Sequence, residues 1–209
     1  MADLAVTPDV LFFMPDIGGF TSFVAETEIS HSQHIISELL ELLVDSNQIG
    51  LEVSEFEGDA VFFFRAGELP SVDELVAQSR KMLFNFHQHL RQREGQRVCQ
   101  CGACSRMHKL TLKFVVHAGP AATMAVKGRT KFIGRSVIVV HRLLKNSVPD
   151  SEYLLVTQDA LDKMRGGTLE LTEAFVPGGD HYEAIGEVAY MHRSLQRHHD
   201  ALPPVTSGL

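Results

Sequence analysis

The order of hydrophobic and polar positions divides the chain into short segments with two different periods. Val10-Leu11-Phe12-Phe13-Met14 is a continuous apolar run of strand length, as expected for a strand buried on both faces. Pro15 to Thr21 interrupts it. Apolar residues Ile36, Leu39, Leu40, Leu43 and Val44 then recur with the 3.6-residue period of a helix. The pattern predicts that a capping box of Ser30 and Gln33 opens this helix and that Gly50 stops it. Leu51–Phe56 and Ala60–Phe64 read as two strands joined by the turn Glu57-Gly58-Asp59, a hairpin. Ser71 and Glu74 form a second capping box, before a helix with Val72, Leu75, Val76, Leu83, Phe86 and Leu90 on one face. Strands are predicted at Leu110–His117, Ala121–Val126 and Tyr153–Val156, with a helix over Gly134–Lys145 between the last two. Thr157 is placed to cap a short helix ending near Gly166-Gly167, and Leu169–Phe175 with His181–Met191 reads as a closing hairpin.

Composition narrows the class. The chain has 209 residues, 44% of them hydrophobic and 22% charged, which is ordinary for a globular protein. We expect one domain over residues 1–200 and a disordered tail at 201–209, where Pro-Pro occurs without periodicity. Lys and Arg total 19 against 26 Asp and Glu, a formal net charge of −7. That balance argues against nucleic-acid binding and against a polybasic membrane anchor, both of which need clustered cations. No basic n-region opens the chain and no apolar run approaches the ~20 residues of a membrane span. An odd set of three cysteines suits a reducing compartment, so a cytoplasmic location is expected.

The order strand, helix, strand, strand has a geometric consequence. A crossover makes the first two strands parallel. If Ala60–Phe64 inserts between them, Asp16 and Asp59 arrive at the same sheet edge. Two adjacent carboxylates repel unless a cation lies between them, and Mg²⁺ or Mn²⁺, which prefer oxygen ligands, would serve. The alternative is a pair of unrelated turn aspartates; their joint placement favours the ion. The loop Ile17-Gly18-Gly19-Phe20-Thr21 can offer backbone N–H groups to phosphate oxygens.

These residues resemble the class III nucleotidyl cyclase catalytic domain, the adenylyl and guanylyl cyclase family, in a divergent, bacterial-type form. Asp16-Ile17-Gly18-Gly19-Phe20-Thr21 and Gly58-Asp59-Ala60 match two family signatures. Lys113 to Gly119, and Gly134-Arg135-Ser136-Val137 with Arg142, match two more. The resemblance runs in order over residues 8–193. It implies an α+β, ferredoxin-like core: a mainly antiparallel sheet with helices packed on it. It further implies a homodimer with a site at the head-to-tail interface, and a nucleoside triphosphate cyclised by attack of its 3′-hydroxyl on the α-phosphate.

Carried over by position, Asp16 and Asp59 are the metal ligands and Arg142 the transition-state arginine. Lys113 is a triphosphate contact, with Gly18, Gly19, Phe20 and Thr21 around the nucleotide. Glu55 and Lys131 hold the two base-selecting positions but form neither standard pair; they can close a salt bridge across the dimer. Ile138 stands where the family has Asn, and Ile185 where it has a triphosphate-binding Lys. Neither aliphatic chain can make those hydrogen bonds. The resemblance therefore leaves an enzyme of weak activity beside an inactive nucleotide- or metal-binding sensor, with a dimerisation module as a third reading.

Cys99, Cys101, Cys104 and His108 form a separate cluster, Cys-x-Cys-x-x-Cys-x-x-x-His. Three thiolates and an imidazole suit a structural, tetrahedral Zn²⁺. The spacing is equally that of three free thiols and a surface histidine.

Overall fold

The computed structural model describes residues 7–26, 28–95, 107–164 and 175–195. Its main sheet has seven strands. In chain order, β1 is Asp9–Gly18, β2 Glu52–Glu57, β3 Ala60–Ala66, β4 Thr111–Pro120, β7 Tyr153–Thr157, β8 Val176–Tyr182 and β9 Gly186–Ser194. A separate hairpin comprises β5, Ala122–Val126, and β6, Arg129–Ile133. The main sheet runs β2-β3-β1-β4-β7-β9-β8, antiparallel except for the β4–β7 pair. The helices are α1 Phe20–Ala25, α2 Ile29–Asp45, α3 Val72–Gly95, α4 Arg135–Arg142 and α5 Gln158–Lys163. Among the described residues no helix is long and apolar enough to cross a membrane.

The apolar run in β1 serves two cores at once. Leu11, Phe13 and Ile17 face the core beneath α2 and α3, while Val10, Phe12 and Met14 face the core beneath α4. Successive strand side chains point to opposite faces, so a run buried on both sides shows no polar alternation. Asp16 has the parity of Phe12 and Met14 and so belongs to the α4 face.

α3 buries Leu75, Val76, Leu83, Phe86 and Leu90 along the predicted stripe. Its capping box forms as expected: Ser71 N donates to Glu74 Oε2 at 2.7 Å, and Glu74 N to Ser71 Oγ at 3.2 Å. Polar residues Gln78, Ser79 and His87 lie in the same buried stripe. Gln78 Nε2 donates to Ser46 O at 2.9 Å, satisfying a carbonyl where α2 ends. His87 Nε2 lies 2.6 Å from Glu152 Oε1, both buried.

Several boundaries differ from the sequence reading. α2 begins at Ile29 with Glu28 as its N-cap and no side-chain cap, so Ser30 is already inside the helix. It ends at Asp45, before Gly50. β1 runs on through Gly18 and α1 starts at Phe20, so the expected five-residue loop 17–21 shrinks to the single turn residue Gly19. Gly19 supplies the left-handed turn between them at φ 82°. A further strand beyond the predicted ones, β6, pairs back on β5 through the tight turn Lys127-Gly128. Thr157 caps α5 as expected, accepting from Ala160 N at 3.2 Å. The closing hairpin differs from the expected Leu169–Phe175 with His181–Met191: Phe175 precedes β8, His181 belongs to β8 and the second strand begins at Gly186, while residues 169–174 and the tail at 201–209 lie outside the described residues.

Candidate functional site

β3 lies between β1 and β2 and pairs antiparallel with both. The β1–β3 register sets Asp16 opposite Ala60, the residue after Asp59. Ile17 N donates to Asp59 O at 3.1 Å and closes the same edge. The predicted convergence of the two aspartates is therefore a property of backbone pairing. Burial pushes the Asp59 carboxyl up to about 6, and the neighbouring Asp16 charge adds to the rise. Its own backbone hydrogen bond and the Lys113 ammonium pull the other way.

Lys113 faces Asp16 from β4, in direct register. Its Nζ lies 3.0 Å from Asp16 Oδ2 and donates to Leu144 O at 2.8 Å. The resemblance implies a triphosphate contact for this residue; in the structure its partners are a site carboxylate and the backbone just past α4. Among the described residues there is no group of three or more His, Cys, Asp or Glu placed to hold a metal ion. What converges here is two carboxylates and an ammonium.

The glycines next to Asp16 are packed. A Cβ on Gly18 would lie 2.2 Å from Thr111 Oγ1, and one on Gly19 3.3 Å from Lys109 O. Gly18 runs too close to Thr111 of β4 for a side chain, while Gly19 combines a tight approach to Lys109 O with its left-handed φ. Phe20 packs against the α2–α3 core, and Thr21 is exposed.

Beside this edge, Val137, Ile138, His141, Arg142, Lys145 and Tyr182 line a cavity of about 750 Å³. Arg142 is exposed and forms no ion pair among the described residues, and the same holds for Lys145. Ile138, at the position of the family's Asn, is 53% exposed on the cavity wall. Ile185 contributes its carbonyl to Arg135 Nη2 at 3.1 Å, while its side chain packs on the α4 core.

His141, Lys145, Tyr182 and Glu57 were not singled out in the sequence. His141 Nε2 lies 2.6 Å from Glu57 Oε1, its Nδ1 2.6 Å from Val137 O, and its ring meets Phe62 edge-on. The pair ties α4 to the β2–β3 turn, two residues before Asp59. Tyr182 donates to Lys145 O at 3.1 Å, fixing the backbone past α4 against β8. A tyrosine or histidine in an apolar-rich stretch carries no sequence signal for such long-range ties.

Lys131 and Glu55 do meet, at 2.9 Å, within one chain rather than across a dimer. Phe132 packs on Phe12 and Phe64, with ring centroids 5.4 Å and 4.7 Å apart. That contact lays β6 over the sheet and brings Lys131 to β2. Of the candidate zinc ligands, His108 sits in a single 3₁₀ turn at Met107–Lys109; Cys99, Cys101 and Cys104 lie outside the described residues.

Comparison with other proteins agrees on the architecture. A family described as "Protein of unknown function (DUF2652)" matches residues 36–153. The uncharacterized protein Rv2561/Rv2562 of Mycobacterium tuberculosis (strain ATCC 25618 / H37Rv) is 34% identical over 155 residues, 74% of this chain and 70% of that protein. Among solved structures, the catalytic core of a rhodopsin-guanylyl cyclase with converted specificity, in complex with ATPalphaS, superposes with TM-score 0.59 at 13% identity, over 90% of this chain and 96% of that one. The guanylyl cyclase Cya2 gives 0.60 at 12% identity, over 88% and 90%. The adenylyl cyclase CyaB from P. aeruginosa gives 0.54 at 14%, over 91% and 96%. At these identities the likeness concerns the fold. The chain belongs to the DUF2652 family, and its fold is that of the class III adenylyl and guanylyl cyclase domains.

Proposed function

We propose that this chain binds a nucleoside triphosphate together with a divalent cation, as a divergent cyclase-like protein whose capacity for cyclisation is weak. The observation that carries this reading is the convergence of Asp16 and Asp59 on one sheet edge, with Ile17 N bonded to Asp59 O at 3.1 Å. The donor set suits Mg²⁺ or Mn²⁺, hard cations that take one or two carboxylates and leave other positions to water and phosphate. Asp16 and Asp59 would hold the ion, and when bound it would neutralise phosphate charge.

The chain's own groups supply the rest. Arg142 and Lys145, without an ion pair among the described residues, offer cations in a cavity of about 750 Å³, a size that accommodates a nucleotide. Glu55 and Lys131 face solvent as a pair with side chains 35% and 56% exposed. Exposed pairs of this kind are worth about 0–1 kcal/mol, so a base can exchange partners with them at small cost. Ile138 offers no hydrogen bond to orient a ribose, which favours binding over turnover. Phe56, Met124, Val126 and Ile133 are large apolar side chains left exposed on β2 and on the β5–β6 hairpin. They support a homodimer formed through this face.

Calorimetric titration with Mn²⁺ and GTP or ATP, followed by chromatography of products, tests the reading. Expected are metal-dependent nucleotide binding, its loss in Asp16→Ala, and little cyclic product. Nucleotide binding indifferent to both Asp16→Ala and Asp59→Ala would refute it. Binding with no cyclic product at all would make the chain a sensor on a cyclase fold, the reading that Ile138 favours.

A further inference from the structure

Lys113 has observed partners that differ in kind from the expected one. A cation is built into the carboxylate edge. The ammonium lies 3.0 Å from Asp16 Oδ2 and 2.8 Å from Leu144 O, with Lys113 and Asp16 side chains only 21% and 14% exposed. It also lies near enough to Asp59 to stabilise that carboxylate. Among the described residues no third carboxylate or imidazole joins the two aspartates. An incoming divalent ion must therefore compete with an ammonium tethered to the same chain, with little compensation from extra ligands.

A lysine suits such an exchange. Its charge is a point on a flexible four-carbon stem with three rotatable donors, so it can change partner without moving the backbone. An arginine at this place would form a planar, two-bond clamp on the carboxylate. β4 fixes the Cα of Lys113 opposite Asp16, and polyphosphate bound against Asp16 and Asp59 would come within reach of the same ammonium.

We propose that Lys113 is a tethered counter-ion that holds Asp16 when the site is empty and transfers to phosphate when it fills. This rests on the reading of Asp16 and Asp59 as the ion-holding pair. It goes beyond that reading by making the ion and the polyphosphate depend on each other: phosphate frees Asp16 for the ion, and the ion frees Lys113 for phosphate. Linkage of this kind is reciprocal, and its usual range is about 5–150-fold in affinity.

The test separates the two ligands so that neither chelates the other. Mn²⁺ alone is titrated into wild type, Lys113→Gln and Lys113→Arg, with binding read by electron paramagnetic resonance. Tripolyphosphate alone is titrated in EDTA and read by calorimetry. Lys113→Gln keeps a donor for Leu144 O and removes the charge. We expect it to bind Mn²⁺ about tenfold tighter and tripolyphosphate at least about fivefold weaker, opposite signs that simple damage to the site cannot produce. Lys113→Arg, clamped on Asp16 by two bonds, should bind tripolyphosphate more weakly than wild type. Should Lys113→Gln bind Mn²⁺ no tighter than wild type, the counter-ion role is refuted.

A second measurement needs no variant. Reductive methylation of wild type, quantified by mass spectrometry, should label Lys113 faster when saturating Mn²⁺ displaces it from Asp16. Unchanged labelling also refutes the proposal. Asp16→Asn distinguishes the two levels. If it leaves Mn²⁺ binding intact in both wild-type and Lys113→Gln backgrounds, the ion-pair reading of the site fails. If it abolishes binding while Lys113→Gln has no effect, only the counter-ion proposal fails.

Discussion

His117 offers a quantitative test of the packing behind β4. Its side chain is 1% exposed, and Nδ1 lies 2.9 Å from Thr157 Oγ1. The Thr157 oxygen already accepts from Ala160 N as the cap of α5, so its hydrogen is available to the ring. Burial pushes the imidazole from 6.5 down to about 4; Asp159 offsets part of this, while Arg135 and Lys163 reinforce it. The sign follows directly. Between the two values the unfolded chain binds more protons than the folded one, so stability is full above the unfolded value and falls as pH drops toward the folded value. One unit of displacement corresponds to ~1.4 kcal/mol, so the loss is about 2 kcal/mol at pH 5 and about 3 kcal/mol near pH 4. His117→Asn keeps a polar partner for Thr157 and does not titrate. Urea unfolding at several pH values from 7.5 to 4.5, followed by circular dichroism, gives the stability of both proteins. The variant should be the less stable at pH 7.5, because it loses the ring's packing. The gap should then close by about 2 kcal/mol on going to pH 5, following the linkage. Parallel stability curves over that range would show that His117 does not carry the linkage.

Other outcomes are expected at and around the site. Because Asp59 titrates near 6 in the folded chain, its carboxylate is lost as pH falls through that value. Mn²⁺ affinity by calorimetry should fall about tenfold by one unit below it, and show no such loss in Asp59→Asn. Ile138→Asn should raise any cyclic-nucleotide production measured by chromatography, since a single oriented donor is typically worth ~10²–10³ in rate. Equal product from both proteins would remove the Asn position from the explanation of weak activity. Ser71→Ala should lower stability by about 1 kcal/mol in chemical unfolding through loss of the α3 capping box, with nucleotide binding unchanged. Glu55→Ala should change stability by less than about 0.5 kcal/mol, because its pair with Lys131 is exposed, while shifting the ratio of GTP to ATP affinity.

The sequence alone fixed those features that depend on short-range chemistry and on side-chain parity. The capping box at Ser71 and Glu74 is local, so it was readable. The apolar run at Val10–Met14 announced burial on both faces. The strand order from β1 to β3 placed Asp16 and Asp59 together, because a crossover followed by an inserted hairpin permits few arrangements. Helix boundaries were less legible. Nothing local separates Glu28 from Ser30 as the first cap of α2, and at its other end Gln78 of α3 takes up the Ser46 carbonyl.

Tertiary structure decided the partners of charged and polar groups. Whether Lys113 serves a phosphate or a carboxylate depends on what faces it across β1 and past α4, residues far away in sequence. Glu55 and Lys131 meet within one chain only because Phe132 anchors β6 on Phe12 and Phe64. His141 reaches Glu57 for the same kind of reason: α4 packs across the face that β2 and β3 present. Hydrophobic periodicity is written residue by residue, because burying a face needs only the right parity along one element. The partner of a charge is set by the meeting of two elements, and that meeting exists only in the folded chain.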